Sequence, residues 1–108
     1  MATASSAPQY RIVHDKAEHK FVAEAVPTGD RLDAYVTYVH PRGKPHVYDL
    51  NHTFVNPKFR GQGLAAIVCD GAFQQIEEEG GTVIPTCSYI SETFLKTRPH
   101  LMKLLAHL

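Results

Sequence analysis

Residues 60–65, with the sequence RGQGLA, have the composition of a turn that can bind a phosphate group. Glycine adopts positive φ at little steric cost, so Gly61 and Gly63 would let successive backbone N–H groups point at one anion. A helical pattern begins directly after the turn, and its positive N-terminal end would face the same anion. Residues 64–69 contain no acidic side chain, and Arg60 can pair with a phosphate oxygen. The favoured chemistry is binding of a pyrophosphate.

Several other interpretations of this loop compete. The simplest is a glycine-rich turn between a strand and a helix that binds no ligand. Gly61, Gly63 and Ala66 also fit a dinucleotide fingerprint, which requires a parallel βαβ unit and an acidic residue about 20 positions later. The preceding strands have the pattern of antiparallel hairpins, and the next predicted strand leads into Thr86 and Cys87 instead of a carboxylate. A Walker A loop is excluded because no Gly-Lys-Ser/Thr follows at the required spacing.

Three further side chains have suitable chemistry for catalysis. The ordinary pKa of histidine suits a general base near neutrality, so His52 is a candidate, although a histidine satisfied within a sheet is the alternative. Cys87 is a possible nucleophile, and the alternative is a buried, inert thiol. Tyr89 is a possible acid that protonates a departing thiolate, and the alternative is an ordinary buried tyrosine. In contrast, Cys69 lies in the apolar stripe of a predicted helix and is expected to be structural.

These residues must be positioned by a chain that alternates between strand and helix patterns. Apolar positions at i, i+3 and i+4 predict a helix over 63–79, ended by Gly80 and Gly81. Beyond it, residues 82–89 are predicted to form a strand that returns parallel to the one before the loop. Short C-terminal helices are predicted to begin at Glu92 and Pro99. The remaining predictions are strands over 10–13, 21–25, 31–40 and 46–55, paired antiparallel, and a polar turn over 14–20.

Length and composition indicate one ordinary globular domain. The chain has 108 residues, a hydrophobic fraction of 44% and a charged fraction of 20%, so we expect a tail over 1–9 and a single domain over 10–108. Eleven basic and eleven acidic residues cancel, which argues against nucleic-acid or membrane partners. Neither a signal peptide nor an apolar span is present, so a cytoplasmic protein with free cysteines is expected, with entry to the nucleus left open.

Metal binding is not predicted. The only cluster of metal-ligating types falls in the predicted polar turn, where a third fixed partner is lacking, so its members are expected to be solvated. They are His14, Asp15, Glu18 and His19.

The loop and its flanks resemble a known family. Arg60, Gly63 and Ala65 match the Q/R-x-x-G-x-G/A loop of the GNAT superfamily of acyl-CoA-dependent N-acetyltransferases. The segments DLNHTFV at 49–55 and PTCSYI at 85–90 are similar to the small single-domain branch of that superfamily. The chain departs from larger members because it is too short for the pair of helices that usually follows the first strand and for the terminal hairpin. Both of these elements shape acceptor sites.

The resemblance implies a minimal GNAT-like α+β fold: a mixed sheet of antiparallel N-terminal strands, a strand-loop-helix-strand cofactor unit and C-terminal helices. It implies that acetyl-CoA binds with its pyrophosphate on Arg60, Gly61, Gln62, Gly63, Leu64 and Ala65. Backbone N–H groups of Phe54 and Val55 would hold the pantetheine arm where the two parallel strands separate. The thioester would then lie between His52 and Cys87, and an acetyl-cysteine intermediate at Cys87 becomes a possible route.

The function expected from this resemblance is transfer of an acetyl group from acetyl-CoA to an unidentified amine, on a small molecule or a protein. The alternative is a CoA-binding or protein-interaction module that kept the cofactor loop without turnover. A third hypothesis, a hydrolase using Cys87 and His52, requires an orienting carboxylate that the sequence does not identify.

Overall fold

The computed structural model describes residues 9–107, which form a five-stranded sheet with a long helix against one face. Of the predicted tail over 1–9, only Gln9 lies within the described residues, as the first residue of a strand. The strands are Gln9–Asp15 (β1), Lys20–Val26 (β2), Arg31–Val39 (β3), Val47–Val55 (β4) and Thr82–Ile84 (β5), and the helix is Leu64–Glu78 (α1).

The strands lie in the sheet in the order in which they occur in the chain. β1 to β4 form successive antiparallel pairs, whereas β5 is parallel to β4, with Val47 opposite Thr82 and Asp49 opposite Ile84. A parallel pair needs a crossover connection, and α1 provides it. This mixed sheet confirms the predicted α+β fold.

Helix α1 covers the sheet with the apolar stripe that its sequence predicts. Its buried residues are Leu64, Val68, Cys69, Ala72, Phe73 and Ile76. They form the core with inward-facing strand residues such as Phe21, Val36 and Leu50, all fully buried. The helix ends where Gly80 adopts a φ of 77°, and the N–H of Gly81 then donates to the carbonyl of Ile76 at 2.9 Å.

Three short helical segments follow β5: the π turn Ile90–Phe94 and the 3-10 helices Leu95–Thr97 and Pro99–Leu104. After them, Leu105 forms a parallel bridge with Val83, which gives the outer edge of β5 a partner. No helix within residues 9–107 has both the length and the apolar character needed to cross a bilayer.

The predicted strand over 82–89 is wrong beyond Ile84. Pro85 has no N–H to extend the ladder, and the chain turns into a helical segment earlier than the predicted start at Glu92. The polar turn predicted over 14–20 is also wrong in its first part, because β1 continues to Asp15. Pairing with β2 and burial against the core outweigh the local polarity of this segment.

A β-bulge at Asn51 divides β4 into two halves, because the pairing with β3 shifts by one residue there. Before the bulge, Leu50 points toward α1 and is fully buried. After it, Thr53 points toward α1 and contacts Cys69, whereas His52 is exposed on the other face. Uninterrupted alternation would have placed His52 on the same face as Leu50.

A cluster of aromatic and histidine side chains fills the end of the sheet at which α1 terminates. The Tyr48 hydroxyl donates to Glu79 at 2.7 Å, and the Tyr38 hydroxyl lies 2.7 Å from Nε2 of His14. The His14 ring stacks on Phe21 with centroids 4.3 Å apart. We call this cluster the closed end; its members are His14, His19, Phe21, Tyr38, His40, Tyr48 and Glu79.

Candidate functional site

The loop before α1 leaves the first N–H groups of the helix without side-chain partners. Gly63 is the N-cap residue, with a φ of 70°, and the first turn contains no acidic residue. The helical hydrogen bonds begin with the N–H of Ile67 and the carbonyl of Gly63 at 3.1 Å, so the N–H groups of residues 64–66 have no partner within the helix. Gly61 also has positive φ, at 85°. These donors and the helix dipole provide an electropositive site for an anion.

The same loop lines a cleft with a volume of about 320 Å³. Five of the six predicted loop residues lie along it, and Arg60 is exposed there. The exception is Gln62, which accepts a hydrogen bond from the Tyr10 hydroxyl at 2.8 Å and thereby ties the loop to β1. The lining residues are Thr53, Val55, Phe59, Arg60, Gly61, Gly63, Leu64, Ala65 and Tyr89.

Beside this cleft, β4 and β5 separate. Their last pair in register is Asp49 with Ile84, whereas β4 continues to Val55. The next contact is a hydrogen bond of 2.9 Å from the N–H of Cys87 to the carbonyl of Leu50, made as the chain turns away. The second half of β4 therefore has one free backbone side, in agreement with the predicted separation of the two parallel strands.

The direction of the backbone groups in this half of β4 follows from its pairing with β3. The N–H of Asn56 donates to the carbonyl of Asp33 at 2.8 Å, so alternation turns the backbone groups of Phe54 toward β3 as well. The backbone groups of Thr53 and Val55 then face the gap. Of the two residues predicted to donate to a pantetheine arm, Val55 has the required direction and Phe54 does not.

Cys87 lies on the α1 side of the gap. The residue is 9% exposed, and its Sγ donates to Oγ1 of Thr53 at 3.4 Å. The same oxygen lies 3.9 Å from Sγ of Cys69, and both cysteines are free thiols. Burial raises the pKa of Cys69 to about 12, so this thiol stays protonated near neutrality, as expected for a structural cysteine.

His52 lies on the opposite face of β4 and is exposed. It is paired with Thr37, whose two neighbours in β3 point into the core, so His52 and Thr37 project from the face that α1 does not cover. No hydrogen bond joins the His52 side chain to another residue between 9 and 107. The structure thus places His52 and Cys87 on opposite sides of β4 and does not bring them into contact.

Two lining residues had no predicted role. Thr53 and Phe59 both line the cleft, but nothing in the sequence distinguishes them from ordinary strand and turn residues. Thr53 faces the cleft because of the bulge, which the sequence does not reveal.

Tyr89, considered as an acid, also lines the cleft, and burial raises the pKa of its phenol. Arg98 is not free for a ligand, because it pairs with both carboxylate oxygens of Asp70 at 2.8 Å.

Comparison with known proteins identifies the family. A family model described as GCN5-related N-acetyl-transferase matches residues 20–104. Bos taurus Protein NATD1 is 32% identical over 89 residues, which cover 82% of this chain and 74% of that protein. The Danio rerio Protein NATD1 is 33% identical over 90 residues, with 83% and 77% coverage.

Solved structures of low sequence identity share the fold. The solution structure of a GCN5-like protein from Staphylococcus aureus aligns over 96% of this chain and 93% of its own, with a TM-score of 0.59 and 18% identity. Escherichia coli YhbS, a GNAT family N-acetyltransferase solved in complex with CoA, aligns over 87% of this chain and 71% of its own, with a TM-score of 0.57 and 14% identity. Since the family model covers most of the sequence, the chain belongs to the GCN5-related N-acetyltransferase family.

Proposed function

We propose that this protein is an acetyl-CoA-dependent N-acetyltransferase whose acceptor is an amine on a small molecule or a protein. The observation that carries the proposal is the uncapped N-terminus of α1, which opens beside the gap between β4 and β5. Anion donors and a free strand edge lie next to each other there. A pyrophosphate joined to an extended arm needs both features side by side.

The residues that line the cleft fit acetyl-CoA as the acyl donor. The N–H groups of residues 64–66 and the Arg60 guanidinium would hold the pyrophosphate, because these donors have no protein partner among the described residues. The arm would lie along β4 and bond the backbone of Val55, with Thr53 beside it. Family membership supports this placement, as does the CoA complex of the Escherichia coli relative.

Acetyl transfer also requires a neutral nucleophile, since an unperturbed lysine amine is mostly protonated near neutrality. In the direct route, His52 on the open face takes a proton from the amine. The amine nitrogen then attacks the thioester carbon and the carbon–sulfur bond breaks. The nitrogen loses its remaining extra proton, and CoA leaves as a thiolate that takes up this proton. The position of His52 suits this role better than deprotonation of Cys87, which lies across the strand.

In the alternative route, the Cys87 thiolate attacks the thioester carbon first. The carbon–sulfur bond to CoA breaks, and the acetyl group stays on Sγ of Cys87. The amine then attacks this acetyl carbon, and Cys87 leaves as a thiolate. The two routes can be distinguished because only the covalent route forms an acetylated protein.

Intact mass spectrometry after incubation with acetyl-CoA alone, followed by turnover with a panel of amines, tests the proposal. In the covalent route an acetyl adduct forms, maps to Cys87 and is absent from Cys87→Ala, whereas Cys69→Ala, the matched cysteine variant, keeps it. In the direct route no adduct forms, and Cys87→Ala retains most activity. In either route His52→Ala slows transfer to the amine by about 10²-fold, and His100→Ala, which changes another exposed histidine, does not.

CoA binding without consumption of thioester by any amine would contradict the enzyme proposal and favour a binding module. Full activity of Cys87→Ala toward a confirmed acceptor would exclude the covalent route alone.

A further inference from the structure

The hydroxyl of Thr53 is shared by two thiols. Its Oγ1 is 3.4 Å from Sγ of Cys87 and 3.9 Å from Sγ of Cys69. Within residues 9–107 its side chain has no other hydrogen-bond partner. A threonine hydroxyl carries one hydrogen, so Thr53 can donate to only one of these sulfurs at a time.

The surroundings of the two thiols decide which one receives that hydrogen bond. Cys69 is fully buried in the stripe of α1, where its raised pKa keeps it a neutral thiol, and a neutral thiol is a weak acceptor. Cys87 lies beside the cleft, next to a residue that lines it. Once Cys87 loses its proton, its sulfur becomes the stronger acceptor of the two, because hydrogen bonds to charged groups are stronger than neutral ones.

We propose that Thr53 is a positioning residue for Cys87, holding Sγ beside the cleft and donating a hydrogen bond to the thiolate. This inference rests on the proposed function, in its covalent route. In the resting state the S–H of Cys87 donates to Thr53. When that proton passes to water, the hydroxyl rotates and donates its own hydrogen to the sulfur, which then attacks the acetyl carbon.

The test is a pH titration of the Cys87 side chain by NMR, in protein labelled with ¹³C at the cysteine Cβ. This measurement needs neither acetyl-CoA nor access by a reagent. In Thr53→Val, which keeps the shape and removes the hydroxyl, the midpoint for Cys87 moves up by about one pH unit. In Thr53→Ser, which keeps the hydroxyl, the midpoint stays near that of the wild type. Acetylation of Cys87 then slows by up to about tenfold in Thr53→Val, as the thiolate fraction falls.

Thr37→Val is the matched control, because it removes a threonine hydroxyl from the uncovered face of the same strand pair, where Thr37 bonds Asn51. Its Cys87 midpoint should not move. An unchanged midpoint in folded Thr53→Val overturns the proposal; if that variant does not fold, Thr53→Ala provides the same comparison. If the midpoint shifts in Thr53→Val but the wild-type protein never acquires an acetyl group, the hydrogen bond from Thr53 to the thiolate is supported. The covalent route is then rejected.

Discussion

Within residues 9–107, polar groups lack protein partners at the N-terminal end of α1 and are paired with each other at its C-terminal end. At its N-terminus, the N–H groups of residues 64–66 and the free side of β4 have no protein partner among the described residues. At its C-terminus, the closed end pairs its polar side chains with each other, as Tyr48 does with Glu79. The N–H groups at the N-terminus lie at the cleft, where water or a ligand can accept hydrogen bonds from them. The difference supports a structural role for the closed end and, within the proposed function, a binding role for the cleft end.

The border between the two ends has its own unsatisfied group. Oδ1 of Asp49 is the one buried side-chain oxygen or nitrogen within residues 9–107 that lacks a hydrogen-bond partner. Asp49 belongs to the last pair before β4 and β5 separate. The orphaned oxygen therefore belongs to the residue at which the register between β4 and β5 ends.

The largest expected effect comes from placing the same strain at each end of α1. Gly63→Val should abolish CoA binding, because a β-branched residue resists the φ of 70° that directs the loop donors toward the anion. Gly80→Val imposes the same kind of strain at the C-terminus, where φ is 77°. It should lower stability and leave CoA affinity unchanged, as measured by calorimetry and thermal melting.

Neither glycine has an atom within 4 Å of an added Cβ, so the two variants differ in location and not in crowding. Unchanged CoA affinity in folded Gly63→Val would place the cofactor elsewhere. Equal loss of affinity in both variants would show that the two ends are not independent.

A smaller effect is expected inside α1, between the two ends. Cys69→Ala should reduce the free energy of unfolding by about 1 kcal/mol, because it removes a buried sulfur from the core. Acetyl transfer should remain intact, since Thr53 can still donate to Cys87. Urea unfolding and a turnover assay would measure both effects. A variant of normal stability without activity would extend the functional region into the helix core.

The smallest effect concerns pH and the closed end. Burial, the main cause, lowers the pKa of His14 below its ordinary value of 6.5, and the charge of Glu79 only partly opposes this. The unfolded chain then binds a proton at a higher pH than the folded protein does. Stability should therefore fall as the pH drops through about 6.5 toward the lower folded value, and level off below it.

His14→Gln should flatten this dependence, while His100→Gln, at an exposed position, should keep the wild-type slope. Urea unfolding at several pH values would show both. The same slope in wild type and His14→Gln would mean that His14 does not link protonation to folding.

The sequence predicts the framework of the fold because the framework depends on local patterns. The hairpins follow from turn residues between alternating runs, and α1 follows from six apolar positions on one helical face. The glycines of the loop could be assigned because positive φ strongly favours glycine, and Gly61 and Gly63 both adopt it.

The site could be predicted less completely, since it depends on pairings between distant segments. Strict alternation in β4 would place His52 and Leu50 on one face, but the bulge at Asn51 turns His52 outward and Thr53 inward. The end of β5 also escaped prediction. Residues around Cys87 are apolar and β-branched, yet Pro85 has no N–H to extend the ladder and the chain continues into a helical segment.

In the second half of β4, the face on which a side chain lies depends on whether the residue is an odd or an even number of positions beyond the bulge at Asn51. Removing one residue between the bulge and the end of the strand would exchange every side chain on the cleft face with one on the open face. Inserting a single residue would have the same effect, whereas adding or removing two would restore the assignment. An odd change of length in this segment therefore alters which residues face the cleft, so an alignment of relatives identifies the cleft-facing residues only if it places the bulge correctly.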